Sequence, residues 1–181
     1  MIWIDAHADM NSPDTTMSGN VHGMVLAAGL DRAGSAFHRS GWPAASVLPE
    51  HTVLIAARDL DRAERDALRA PGAPRVFTIA DIDRRGSAAV AEEAVAIASG
   101  AGFLHVSLDM DSIDPKDAPG VGTPVRGGLS YREAHTIMEI LSEAPVSSID
   151  VVEVNPVLDV KNATASLAAE LMCSLFGKRI L

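Results

Sequence analysis

The sequence predicts an α/β fold, an open and mostly parallel sheet with helices on both faces, and three observations lead to it. Five short apolar runs, at residues 2–4, 52–57, 75–79, 103–108 and 146–154, alternate with segments of helical composition, the order that parallel strands joined by crossover helices require. Four of these runs meet acidic side chains at their carboxyl ends, the edge at which open α/β sheets bind ligands. The 181 residues, 48% hydrophobic and 22% charged, are enough for one core. With no linker, internal repeat or low-complexity tract, residues 1–181 read as a single domain.

Taken in order, Ile2-Trp3-Ile4 begins with no turn or cap before it, so the chain opens inside a buried strand. Complete domains rarely open this way. Residues 10–20, rich in Asn, Ser, Thr and Pro, form a polar loop. Asn20 is placed to cap a helix over 21–30 with His22 in its first turn, where an imidazole can shuttle protons near neutral pH. Residues 33–50 are irregular. The strand at 52–57 runs into Arg58-Asp59-Leu60-Asp61, and Asp61 is read first as the cap of a helix over 62–69. After the strand at 75–79, the segment 81–99, with its core VAEEAVAIA, reads as one helix stopped by Gly100. The run 103–108 has the pattern of a strand buried on both faces, and the loop beyond it turns tightly through Gly120, Gly122, Gly127 and Gly128.

Ser130 and Glu133 form a capping box that starts a helix through Leu141, with His135 on what reads as a surface helix. The strand at 146–154 carries Asp150, which must be paired if buried, and ends at Asn155-Pro156. Asn162 is the candidate cap for a last helix through Phe176, closed by Gly177 and the basic Lys178 and Arg179.

Composition narrows the partners. A formal charge of −9 argues against a nucleic-acid backbone or an anionic membrane, both of which need clustered Lys and Arg. Small molecules and cations fit better. The single cysteine, Cys173, lies in an apolar helical segment and reads as a buried core thiol, in keeping with a reducing compartment. No signal peptide or long apolar span is visible, so the expectation is a soluble, cytoplasmic protein.

The chemistry gathers at the strand ends. Asp109 and Asp111 follow the run 103–108, and on an extended backbone of period two they point the same way. Alone, such a pair is more readily a turn cap at a loop opening. Asp5, His7 and Asp9 alternate with Ala6 and Ala8, placing an acid, an imidazole and an acid on one side, a ligand set for a borderline divalent metal such as Mn or Zn. Since crossovers put all carboxyl ends on one edge, that edge collects Asp5, His7, Asp9, Asp61, Asp109, Asp111 and Glu153. This is more ionisable side chain than packing needs, and it points to a metal site.

The segments DAHAD, NSPDTTMSGNVHG, ARDLD, SLDMDSIDPKDAPGVGTPVRGGLSYRE and DVVEVNP, in that order, resemble the ureohydrolase superfamily, and the arginase family within it. The resemblance covers essentially the whole chain and implies a three-layer sandwich. It implies two Mn2+ ions bridged by Asp5 and Asp109, with Asp9 completing one shell and His7 and Asp111 the other. The shared water then attacks a guanidinium carbon as hydroxide, turning L-arginine into L-ornithine and urea. By the same resemblance Asp9 is expected to relay the proton to the leaving amine, His22 to shuttle it to solvent, Glu153 to pair with the guanidinium and Thr123 to line the pocket. The same resemblance implies that Asn11, Ser18 and Asn20 hold the α-carboxylate and that Asp61 lies near the α-amino group. The family forms oligomers, so a homo-oligomer is expected.

The chain departs from the pattern in one respect. Family members carry an earlier glycine-glycine-aspartate-histidine motif whose His ligates the ion that Asp9 completes, and further strands beside the first run; neither is present. The expectation is a fragment or short form with one metal a ligand short. Loss of affinity or activity is then about ten- to a hundredfold, and an exposed sheet edge is open to association. A non-catalytic metal-binding remnant and a ureohydrolase for agmatine are the alternative readings.

Overall fold

The computed structural model describes residues 1–38, 46–179 and 181. Five strands, β1 (Ile2–Ile4), β2 (Val53–Ala57), β3 (Arg75–Thr78), β4 (Leu104–Asp109) and β5 (Val146–Val152), form one sheet in the order β3-β2-β1-β4-β5. Every pairing is parallel. The first strand is therefore central. Ile2–Ile4 pairs with β2 on one side and β4 on the other, and its side chains are buried. The expectation that its flanking strands are missing is wrong, because later strands fill both sides. The edges of this sheet are β3 and β5.

Period two sorts the side chains. Ile2, Ile4, Val53, Ile55, Leu104, Val106 and Leu108 face α3 (Ile79–Arg85), α4 (Ser87–Ala98), α5 (Tyr131–Leu141) and α6 (Ala163–Leu175) in the larger core. Trp3 and Leu54 face α1 (Val25–Gly29) and α2 (Arg62–Arg69) in a smaller one, with Met10, Leu26, Ala27 and Leu30. Each large side chain so buried contributes about 1.5–3 kcal/mol. On this second face β4 and β5 carry a polar ladder instead. Ser107 and His105 both bond Asp150, and His105 bonds Ser148, so the in-strand acid is paired although its residue is exposed.

The structure corrects several local readings. Residues 21–30 form a 3-10 turn (Val21–Met24) and the short α1, and Asn20 makes no side-chain cap. The segment 81–99 is two helices, α3 and α4, broken where Gly86 turns to φ +86°; the stop comes at Gly102 (φ +74°) rather than Gly100. Phe103 lies outside β4 and is exposed. Asn162 sits at φ +58° without capping α6, whose first amides, at Thr164 and Ala165, go to the carboxylate of Asp159. Cys173 faces solvent. His135 is buried, its Nδ1 bonded to the Ser174 hydroxyl, so the helix that carries it is packed against α6 and not a surface element.

One irregularity lies close to the site. β2 holds an extra residue, Ala56, where its pairing with β3 shifts between Ile55 and Ala57. Ala56 is buried at φ +74°, a conformation costing about 1–3 kcal/mol for a residue other than glycine. Among the described residues no helix is long and apolar enough to cross a membrane.

Candidate metal centre

The site is built from two turns that leave the central strands. Beyond β1 the backbone does not stay extended: the Asp5 carboxylate accepts the His7 amide at 2.6 Å and folds the chain back. Its other oxygen accepts Trp3 Nε1 at 2.9 Å, so Asp5 is locked at both ends and 1% exposed. Ala6 and Ala8 are buried beneath, as the alternation requires. Beyond β4 the same device recurs. Asp109 accepts the Asp111 amide at 2.8 Å and starts a 3-10 turn over Met110–Ser112. Asp109 and Asp111 thus share a site through a turn, not through an extended strand.

The two turns interlock. Asp111 accepts from the Ala6 amide at 3.2 Å and from the Thr123 hydroxyl at 2.9 Å. His7 Nδ1 lies 3.0 Å from Asp111 and 3.4 Å from Asp5. One ligand atom each from Asp5, His7 and Asp111 lies within 4.8 Å of the others. Asp9 and Asp109 stand outside that trio but line the same cavity of about 410 Å³, with His7, His22, Asp111, Thr123 and Glu153. Asp9 (φ +52°) and Glu153 (φ +65°) both hold left-handed backbones, local strain of the kind that collects at functional sites.

A second cavity of about 310 Å³ is lined by Asn11, Ser18, Asn20, Asp61 and Glu64 and shares His7, Asp9, His22 and Thr123 with the first. All the expected site residues except the buried Asp5 therefore line one of two contiguous spaces. Some are already engaged. Asn11 donates to Asp61 at 2.8 Å and accepts from Thr15 at 2.9 Å, while the other Asp61 oxygen caps α2. Ser18 accepts the Asn20 amide at the exposed rim.

The electrostatics favour a cation. Hydrogen bonds to Asp111 and then Asp5 raise His7 to about 11 against the opposing effect of burial, so the imidazole is itself cationic at neutral pH. Burial pushes Asp111 up, but the bond and charge of His7, with Thr123 and the Ala6 amide, hold it below the ordinary range. Burial and then the charge of Asp5 raise Asp9 to about 8 and Asp109 to about 10. Burial raises Asp5 as well. Carboxylates crowded until they retain protons, beside one imidazole, form a hard and borderline donor set that a divalent ion such as Mn2+ satisfies. Asp5, His7 and Asp111 are close enough together to share one ion, and Asp9 and Asp109 line the cavity beside them.

Three supporting residues escaped sequence reasoning. Trp3 stands two positions before Asp5, so period two placed its indole beside the carboxylate. Glu64 completes the capping box with Asp61 and accepts the Met10 amide at 3.3 Å from a buried position, and the D-x-x-E spacing could have shown it. Arg58 lies behind the second turn, where no local sequence signal places it.

The model of the Arginase family matches residues 1–177. The chain belongs to the arginase family. The arginase of Bacillus caldovelox is 48% identical over 183 residues, which takes in 100% of this chain and 61% of that relative. Its native structure at pH 5.6 superposes with a TM-score of 0.95 and 47% identity, covering 99% of this chain and 60% of that one. Entamoeba histolytica arginase in complex with L-ornithine gives a TM-score of 0.86 at 30% identity over 98% and 59% of the two chains. The family shares the five-stranded parallel sheet with its flanking helices, and this chain spans about three fifths of the length of these relatives.

Proposed function

We propose that this arginase-family chain carries the metal- and substrate-binding part of a manganese-dependent hydrolase that converts L-arginine to L-ornithine and urea. The observation that carries the reading is the convergence of Asp5, His7 and Asp111 within 4.8 Å beside a cavity lined by Asp9, Asp109 and Glu153. Its support is the likeness to arginases, one of them holding L-ornithine.

Asp5, His7, Asp9, Asp109 and Asp111 are the ligands in this reading. Manganese held there supplies Lewis acidity, which makes water a usable nucleophile near neutral pH. Glu153 pairs with the guanidinium and fixes its carbon over the acids, a charge-assisted contact suited to a cationic substrate. Water adds to that carbon, the bond to the substrate's side-chain nitrogen breaks, and the nitrogen leaves as the amine of ornithine. Asp9 carries the proton from the attacking water to that nitrogen, and His22 exchanges it with solvent. Thr123, bonded to Asp111, borders the pocket. Ser18, Asn20 and Asn11 take the α-carboxylate and Asp61 the α-amino group, on the wall where these side chains line the second cavity. Homo-oligomerisation belongs to the same reading.

Urea release from L-arginine with added manganese tests the proposal; a folded chain with no turnover at saturating metal removes it for this chain alone. Asn20→Ala and Ser18→Ala each lower use of arginine about tenfold relative to agmatine, the cost of about one hydrogen bond to a charged group. Equal losses on both substrates overturn the carboxylate assignment. A second reading, binding of one ion without turnover, draws on the fact that the compact trio leaves Asp9 and Asp109 outside it.

A further inference from the structure

Arg58 leaves the end of β2 and runs behind the metal-binding turns, where it lines neither site cavity. Its Nη2 donates to the carbonyls of Asp111 and Val125, each at 2.7 Å, and its Nη1 to those of Ser112 at 3.0 Å and Ala56 at 3.4 Å. The backbone at the same point joins the other turn: the Arg58 and Asp59 amides both donate to Ala6, at 2.8 and 3.0 Å. One residue therefore ties together the segment of Asp5 and His7, the segment of Asp109 and Asp111, and the loop of Thr123.

The arrangement calls for a guanidinium. Three carbonyl oxygens from two loops converge on it, a set of negative dipole ends that only a planar, permanently charged fork can satisfy at once. An ammonium is a point charge and reaches fewer of them. Gly128 keeps the space clear, since a Cβ there would lie 2.6 Å from Arg58 Nη2 and from the Asp114 amide nitrogen. Fixing the carbonyls of Asp111 and Ser112 fixes the turn from which the Asp111 carboxylate reaches His7 and Thr123.

We propose that Arg58 is a positioning residue of the metal centre, setting metal affinity through the carbonyls of Asp111, Ser112 and Val125 without touching metal or substrate. This rests on the manganese reading above. The test is titration of Mn2+ into chelator-treated protein, with the visible spectrum of a Co2+-loaded sample as a report on ligand geometry. Arg58→Met weakens manganese binding about ten- to a hundredfold, as loss of groups that orient ligands does, and shifts the cobalt bands. Arg58→Lys recovers part of the affinity. Arg62→Met, which removes the same charge from an exposed site on α2, changes neither. The Arg58 variants keep their far-UV circular dichroism and a cooperative melt in chelator. Wild-type affinity and spectrum in both Arg58 variants overturn the role, and so does loss of cooperative melting in both, which makes Arg58 a residue of the fold. A wild type that binds no manganese overturns the functional reading and this inference with it, an outcome separate from one in which wild type and variants bind alike.

Discussion

The acid cluster has two halves built on opposite principles. Asp5 and Asp111 are met by donors on both sides: the Trp3 indole and the His7 amide for one, the Ala6 amide, the Thr123 hydroxyl and the His7 imidazole for the other. Among the described residues the Asp109 carboxylate accepts only the Asp111 amide, and the Asp9 carboxylate accepts no hydrogen bond. Asp111 ends below its ordinary range, whereas burial raises Asp5 despite its donors, and Asp9 and Asp109 rise to about 8 and 10. The difference teaches which half is structural. The protonated His7 already serves the first half as its cation, whereas the second half holds protons that an ion arriving from outside replaces. An ion entering the centre must displace the His7 proton, so binding weakens as pH falls.

The largest effect expected of any change breaks the first half. Asp111→Ala leaves His7 without its nearest acid and the Ala6 amide without its acceptor, and it costs about 3–5 kcal/mol of stability in chelator, the usual loss when a buried pair loses one member. Denaturant melts check this, and a loss under 1 kcal/mol removes the claim that this half stands as an ion-paired unit. Manganese at a hundred times its dissociation constant stabilises the wild type by about 2.7 kcal/mol, read as a rise in melting temperature; no rise means no site. Asp109→Asn and Asp9→Asn sharpen the comparison from the other side. Each leaves stability in chelator unchanged or raises it by up to about 1 kcal/mol, since a buried carboxyl that folding forces to take up a proton becomes a neutral amide, yet each abolishes or sharply reduces the rise with manganese. A variant that is destabilised by more than 2 kcal/mol in chelator contradicts the assignment.

The smallest effect comes from an acid far from the centre. The Thr78 hydroxyl, then Arg84 and the Thr78 amide, lower Asp81 from 3.8 to about 2. A depressed carboxyl stabilises the fold above its unfolded value and loses that contribution as pH falls through the folded one. The stability difference between wild type and Asp81→Asn is therefore about 1 kcal/mol at neutral pH, the worth of a helix cap, and vanishes between pH 4 and 2. A difference that persists below pH 2 shows that Asp81 acts by packing instead.

The sheet and the acid positions were legible because both follow from local alternation. Apolar runs with acids at their carboxyl ends are readable in any order of pairing, and the crossover rule then puts the ends on one edge. The order β3-β2-β1-β4-β5 was not legible, since nothing in Ile2-Trp3-Ile4 says that β4, a hundred residues on, lies beside it. Capping at α6 was missed because Asn162 stood in the expected place, while the acid that does the work, Asp159, reaches the helix only through a turn at positive φ. Cys173 and His135 were misplaced for different reasons. The helix of Cys173 carries small or apolar residues on several faces, so the 3.6-residue period does not say which face is inside. His135 instead sits beside the clear apolar stripe of Ala134, Ile137, Met138 and Leu141, and its polar type masked its burial. The Asp-x-Asp pair was read as extended, whereas the first carboxylate captures the second amide and makes a turn, a competition between side chain and backbone that spacing alone does not decide.

The bulge at Ala56 has a consequence of parity. In a strand each residue added or removed exchanges the two faces for everything that follows, and Ala56 is an added one. A regular β2 would send the side chain after Ala57 to the other side, and the guanidinium that now meets Asp111, Ser112 and Val125 would point away from them. Deleting Ala56 relieves a strained backbone while reversing the direction of Arg58, so this one residue acts as an off-by-one counter: the chain keeps a miscount in its strand because the miscount aims the arginine.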